Sequence, residues 1–267
     1  DFIEHPWDIF THNHNEIVKD FEIVKLTKEE ASIDETNTVI GNQLFVEKGA
    51  KVSCATINTL DGPVFIGKEA EVLEGVLIRG SLAVCEHAVL KMGAKIYGGT
   101  TIGPYSKVGG EIGNSVIQGY SNKGHDGYLG NSVLGEWCNL GADTNTSNLK
   151  NNYGEVKAWD YREKESVNTG LQFCGLMMGD HSKCGINTMF NTGTVIGVSA
   201  NIFGGGFPQK FIPSFSWGGA DGFEIYKIEK AFDVAEKVTS RRTIKFTTED
   251  KKILSNIFDL TSEFRSE

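Results

Sequence analysis

From Ile66 onward an aliphatic side chain returns at every sixth position: Ile66, Val72, Ile78, Val84, Leu90, Ile96, Ile102 and Val108. Small or polar residues follow directly, as in Ile66-Gly67 and Ile102-Gly103, and small ones recur four places on, at Ala70, Ala88 and Ser106. A period of six fits neither a 3.6-residue helix nor a 3.5-residue coiled coil. It fits a strand of a few residues followed by a sharp corner, with one aliphatic side chain per side pointing into a narrow prism. Three sides complete a coil, and the next coil stacks at strand-pairing distance, roughly 4.8 Å. The pattern therefore predicts an all-β fold, a parallel β-helix of hexapeptide repeats.

After Val108 the period breaks: Ile112 comes early, and a protruding loop is expected from Tyr120 to Tyr128. It resumes at Leu134, Leu140 and Thr146. A polar stretch, Asn148 to Asn168, interrupts it again before a last run of Met178, Cys184, Phe190, Ile196 and Ile202. Breaks in a solenoid place loops on its outside, where binding groups collect. The ends differ in character. Residues 1–40 are polar, with a short helix expected around Glu16–Phe21, and read as an arm or joint. Residues 41–206 carry the repeat. Residues 207–267 begin as an irregular glycine- and proline-rich link and continue with helical spacing from Phe223 through Ile225, Ile228, Phe232, Ala235 and Val238. Thr248 with Asp250 marks the expected start of a second helix.

Composition narrows the function classes. At 39% hydrophobic and 23% charged, the 267 residues suit a soluble globular chain. A net charge of −9 argues against non-specific nucleic-acid binding, which needs cations to neutralise phosphates. No apolar run is long enough to span a bilayer, so no membrane role is expected. The five cysteines are scattered without metal-ligand spacing, which points to small buried hydrophobes in a reducing cytoplasm. A chain starting at Asp1 reads as a processed or truncated piece.

The first break carries Asn122-Lys123-Gly124-His125-Asp126-Gly127-Tyr128-Leu129-Gly130. Histidine suits general-base work near neutral pH, and deprotonating an amine beside a thioester needs such a group on an accessible corner. Lys123 and Tyr128 beside it are candidates to contact the substrate, and a solvated loop histidine fits the same residues. In the second break, Asn139 to Lys150 offers neutral donors and acceptors for sugar hydroxyls, and Lys150 and Lys157 offer cations for phosphate. An asparagine stack with a solvated loop fits that composition too. His12 and His14 lack a third ligand nearby, so no metal site is expected. His87 reads as surface decoration and His181 as structural. Gly204-Gly205-Gly206 lacks a dinucleotide-fold context and reads as a flexible exit from the coils.

The stretch from Gly124 to Ile202 resembles a known family. Gly124-His125 with Tyr128-Leu129-Gly130 is similar to the G-H-x-x-Y-L-G segment of the acetyltransferase half of bifunctional glucosamine-1-phosphate acetyltransferase / N-acetylglucosamine-1-phosphate uridylyltransferases. The later Asn148-Leu149-Lys150, Val156-Lys157, Gly179-Asp180 and Cys184-Gly185-Ile186-Asn187 resemble the archaeal-type members and related bacterial sugar nucleotidyltransferases. The resemblance implies a left-handed coil, a homotrimer with sites shared between subunits, and acetyl-CoA as co-substrate. It implies His125 as the base that takes the proton of the sugar amine. Tyr128, Asn139, Asn148 and Lys157 would hold a sugar phosphate, and Ala142, Ile186 and Gly204 would line the acetyl-CoA groove.

Two departures stand out. The family's phosphate-binding arginine after its I-G-P segment is missing, leaving Lys107 as the near cation, and no G-x-G-x-R signature of a nucleotidyltransferase half occurs. Residues 1–40 then read as the joint to that absent half, the only part expected to need Mg2+. Three functions remain open: acetyl transfer to glucosamine-1-phosphate, on the way to UDP-N-acetylglucosamine; a non-catalytic trimerisation and sugar-nucleotide-binding module; and acyl transfer to a nucleotide-linked amino sugar.

Overall fold

The structure, a computed structural model, describes residues 2–265. Three parallel sheets form the sides of a prism. The first face runs from Thr38–Ile40 to Tyr128–Gly130, with Asn145–Thr146 and Met189–Phe190 pairing beyond it. The second runs from Leu44–Val46 to Phe211–Ile212. The third runs from Lys51–Val52 to Ser216–Gly219, where the antiparallel strand Gly222–Ile225 closes its end.

Registers show why the sixfold repeat folds this way. Ile78 stacks on Ile57 and under Ile96 in the first face, Val84 lies between Ile66 and Ile102 in the second, and Leu90 between Val72 and Val108 in the third. All eight periodic aliphatics from Ile66 to Val108 are buried, as are the later members Leu134, Leu140, Thr146, Met178, Cys184, Phe190, Ile196 and Ile202. Burying each large aliphatic side chain is worth about 1.5–3 kcal/mol, so every coil contributes its own share of the core. The chain is a parallel β-helix of hexapeptide repeats with C-terminal helices.

The first break differs from its expectation. No loop is thrown out between Tyr120 and Tyr128; instead the coil shortens. Ile117 stacks on Ile102 and Lys123 on Val108, fifteen residues on in both cases. Lys123 thus fills an interior position that aliphatics hold elsewhere, which is why the apolar period vanishes there. The second break does leave the prism. Its Lys157–Asp160 and Glu165–Asn168 strands form an antiparallel hairpin. The hairpin packs Val156 and Ala158 on the second face with Val133, Met177 and Val195.

The N-terminal arm holds a 20-residue helix, α1 (Asp8–Thr27), longer than the polar sequence suggested. Its Phe10, Ile17 and Phe21 form a narrow buried stripe. Asn13 and His14 bond Gly99, Thr101 and Ser81 along the second face. At the other end, Phe223 and Ile225 lie on the closing strand and not on a helix. The helical run begins with α2 (Ile228–Ser240), and α3 (Thr248–Leu260) is capped by Thr247, whose hydroxyl accepts from the Asp250 N–H. Among the described residues no helix is long and apolar enough to cross a membrane.

Candidate functional site

The edge where the third face turns into the first carries most of the candidate residues. His125 is exposed at this corner. The next coil puts Ala142 and Asp143 at the same corner, where the Asp143 N–H donates to the Asp126 carbonyl at 3.1 Å. One coil further, the Asn187 N–H donates to the Ala142 carbonyl at 2.8 Å, which sets the exposed Ile186 on the edge. The Gly185 N–H donates to the Ile202 carbonyl, so the turn entering Gly204 follows. His125, Ala142, Ile186 and Gly204 therefore line one edge in successive coils, about 4.8 Å apart at each step.

The corner of His125 is held from inside. The Lys123 ammonium donates to the His125 carbonyl at 2.5 Å and to the Asp126 carbonyl at 3.1 Å. Lys123 was a candidate substrate ligand; with 1% of its surface exposed it lies inside the prism and serves the backbone instead. Burial pushes its pKa down to about 8, against the opposing pull of Asp126 and Asp143. Gly110, at φ +76°, lies directly behind: a Cβ there would come within 2.8 Å of the His125 carbonyl oxygen.

On the first-face side, Tyr128 and Asn148 meet. The Asn148 amide donates to the Tyr128 hydroxyl at 3.0 Å and to Asn131 Oδ1 at 2.8 Å. The Tyr128 N–H donates to Asn145 Oδ1 at 2.9 Å. Burial raises the Tyr128 pKa, and the Asn148 bond partly offsets that. Gly130 points the same way as Tyr128, two residues on in the strand. A Cβ there would come within 2.6 Å of the tyrosine ring, so the ring lies over the glycine. The Y-L-G spacing therefore has a steric reason.

Asn139 faces outward on the third side, in register with Asn122 before it and Lys183 after it. It opens into a cavity of about 570 Å³ beneath the end of α2. Lys150 and Lys157 lie elsewhere. The Lys150 ammonium is taken by the Glu155 carbonyl within the insertion. Lys157 is exposed on the hairpin by the second face, and its carbonyl accepts from Lys210 Nζ at 3.0 Å. Within one chain the structure brings together His125 with Ala142, Ile186 and Gly204, and Tyr128 with Asn148. It does not bring Lys150 or Lys157 to that edge.

The repeat pattern did not reveal a ladder of rings along the edge between the second and third faces. His87, Tyr105, Tyr120 and Trp137 stack with centroids 4.5, 5.0 and 4.3 Å apart, and His181 follows at 6.2 Å. All five adopt φ between 55° and 60°. Burial pushes His181 down to about 4, and its Nδ1 has no partner. An aromatic or histidine at the same corner of successive coils was the available signal. Among the described residues no cluster of three or more His, Cys, Asp or Glu could hold a metal ion.

No family model matches the sequence. A bifunctional sugar-1-phosphate nucleotidylyltransferase/acetyltransferase of Sulfurisphaera tokodaii is 30% identical over 166 residues, covering 55% of this chain. The chain is similar to part of that enzyme. It spans 41% of the relative's length. Among solved structures, the Arabidopsis UDP-N-acetylglucosamine acyltransferase matches 83% of this chain and 80% of its own at 15% identity, with a TM-score of 0.41. The polySia-specific acetyltransferase NeuO matches 73% of this chain and 85% of its own, also at 15% identity, with a TM-score of 0.40.

Proposed function

We propose that the chain is an acyltransferase that moves an acetyl group from acetyl-CoA to the amine of an amino-sugar phosphate, glucosamine-1-phosphate first among them. The alignment of His125, Ala142, Ile186 and Gly204 along one edge supports this reading above all else. A long thioester laid against that edge would meet backbone at Ala142, Ile186 and Gly204, and end beside the exposed imidazole.

In the proposed reaction the sugar nitrogen attacks the thioester carbonyl and a C–N bond forms. His125 takes the amine proton, the C–S bond breaks, and the CoA thiolate leaves and is protonated. Positioning on a rigid coil and base catalysis supply the acceleration. Tyr128 and Asn148, already bonded to each other, are proposed to orient the sugar. Lys150 and Lys157 lie off this edge, so a role for them in phosphate binding requires a second copy of the chain, which the proposed homotrimer would supply. We also propose a cytoplasmic setting and residues 1–40 as a joint to a nucleotidyltransferase half, the only part that would use Mg2+.

The experiment is thiol release from acetyl-CoA in the presence of glucosamine-1-phosphate, other amino-sugar phosphates and nucleotide-linked amino sugars. Turnover that His125→Ala abolishes while the coil stays folded supports the reading. No turnover with any acceptor would leave the chain a trimerisation and sugar-nucleotide-binding module.

A further inference from the structure

The third face carries an outward column that the proposed acyl transfer does not use in full. Lys107, Asn122, Asn139 and Lys183 pair in register through consecutive coils. The two lysines are therefore about 14 Å apart at the backbone, three strand spacings. Facing them across the 570 Å³ cavity are Arg241 and Arg242, at and just beyond the end of α2. Four cations thus converge on one cavity in a chain whose net charge is −9.

Among the described residues none of the four forms an ion pair, and Lys107, Arg241 and Arg242 donate no side-chain hydrogen bond. Lys183 donates to the carbonyls of His181 at 2.9 Å and Trp137 at 3.5 Å, which leaves one of its three donors free. Partial burial lowers the pKa of Lys107; Arg242, Lys91 and Arg241 lower it further, and Glu71, itself paired with Lys51, pulls the other way only in part. Like charges held together without a counter-charge destabilise the fold. The arrangement makes sense when an anion bridges the two walls.

We propose that this cavity binds the diphosphate of an organic diphosphate. The flexible lysine side chains can converge from their separate coils, and four cations outnumber the charge of a single phosphate, whereas a diphosphate offers more charge and more oxygens for the lysine column and the arginine pair to share. Arginine forks match phosphate oxygens in pairs, and a helix end is a favourable place to hold them. Asn122 and Asn139 lie between the lysines and add neutral donors. Recognition stops at the phosphates: both faces of Tyr120 are already covered, by Tyr105 and Trp137, so no base can slide into the ring ladder. The pocket should therefore tolerate different nucleosides. Asn122 precedes His125 by three residues, a span of about 10 Å at most. A ligand anchored here can extend its other end to the His125 edge, a step that rests on the reading of His125 as base. The binding itself does not.

Titration calorimetry of the full chain with inorganic pyrophosphate tests this. Pyrophosphate should bind more tightly than inorganic phosphate, and more weakly as salt rises. R241A/R242A, just past the end of α2, should lose at least about tenfold in affinity while its melting temperature holds or rises, and Lys107→Gln should weaken binding separately. UDP and CoA then serve as competitors: displacement by CoA identifies an acyl-donor diphosphate, and displacement by UDP identifies a nucleotide-linked acceptor. Absent binding, affinity unchanged in both variants, or displacement by neither competitor overturns the proposal. If thiol release fails while pyrophosphate binds, only the acyl-transfer reading falls; turnover without pyrophosphate binding sinks only the cavity.

Discussion

The buried ammonium of Lys123 donates to the carbonyl of His125 at 2.5 Å, so an interior cation fixes the corner that displays the imidazole. The side chain meant to face substrate on a simple reading of the sequence works from behind it. Replacing Lys123 tests both its charge and its position.

Burial holds the Lys123 pKa at about 8, against 10.5 for the ordinary side chain. Below pH 8 folded and unfolded chains both carry the charge, and its burial counts fully against the fold. Between about 8 and 10.5 the unfolded chain binds more protons, so this group's contribution to stability rises with pH and then levels off. Lys123→Met lacks that titration. Urea unfolding at pH 7 and pH 10 should therefore show wild type gaining on the variant by up to about 3 kcal/mol. An equal difference at the two pH values would refute the burial argument.

His125 is exposed and donates no bond that holds the fold, so His125→Ala should leave stability within about 0.5 kcal/mol. Loss of a general base should lower kcat roughly 10²–10⁴-fold. Retained kcat would take the base role away from His125. A large drop in melting temperature would show that the corner needs the side chain for structure.

The ring of Tyr128 lies over Gly130, and Gly130→Ala would push it off. The displaced hydroxyl should lose its bond from Asn148, at a cost of about 1 kcal/mol. If Tyr128 orients the sugar, KM for the acceptor should rise while KM for acetyl-CoA stays put. In a double-mutant cycle, adding Tyr128→Phe to Gly130→Ala should cost little more, because the bond is already broken. Full additivity would mean that the ring does not depend on the glycine.

How far the sequence could be read depends on which interactions are local. One aliphatic residue per side fixes the coil, and Ile66 through Val108 announce it directly. The shortened coil was hidden because Lys123 fills an aliphatic position and satisfies carbonyls that only three-dimensional stacking turns inward. Helix α1 was underestimated because its buried stripe is a few residues wide amid polar ones. The edge from His125 to Gly204 could be traced through a family resemblance. The cationic cavity could not, because Arg241 and Arg242 stand more than a hundred residues from Lys107 and arrive only when α2 folds back.

The ring ladder supplies a last test, in which glycine should outperform alanine. Tyr120 has φ 58°, a left-handed conformation that costs a non-glycine residue about 1–2 kcal/mol. Stacking on Tyr105 and Trp137 offsets this at about 0.5–1.5 kcal/mol per pair. Tyr120→Ala loses both stacks and keeps the strain, whereas Tyr120→Gly loses the stacks and sheds the strain. Despite the greater entropy of an unfolded glycine, the Gly variant should be the more stable by roughly 1 kcal/mol in denaturant unfolding. If Ala proves equal or better, the corner is not strained, and stacking alone does not explain why aromatic side chains occupy it.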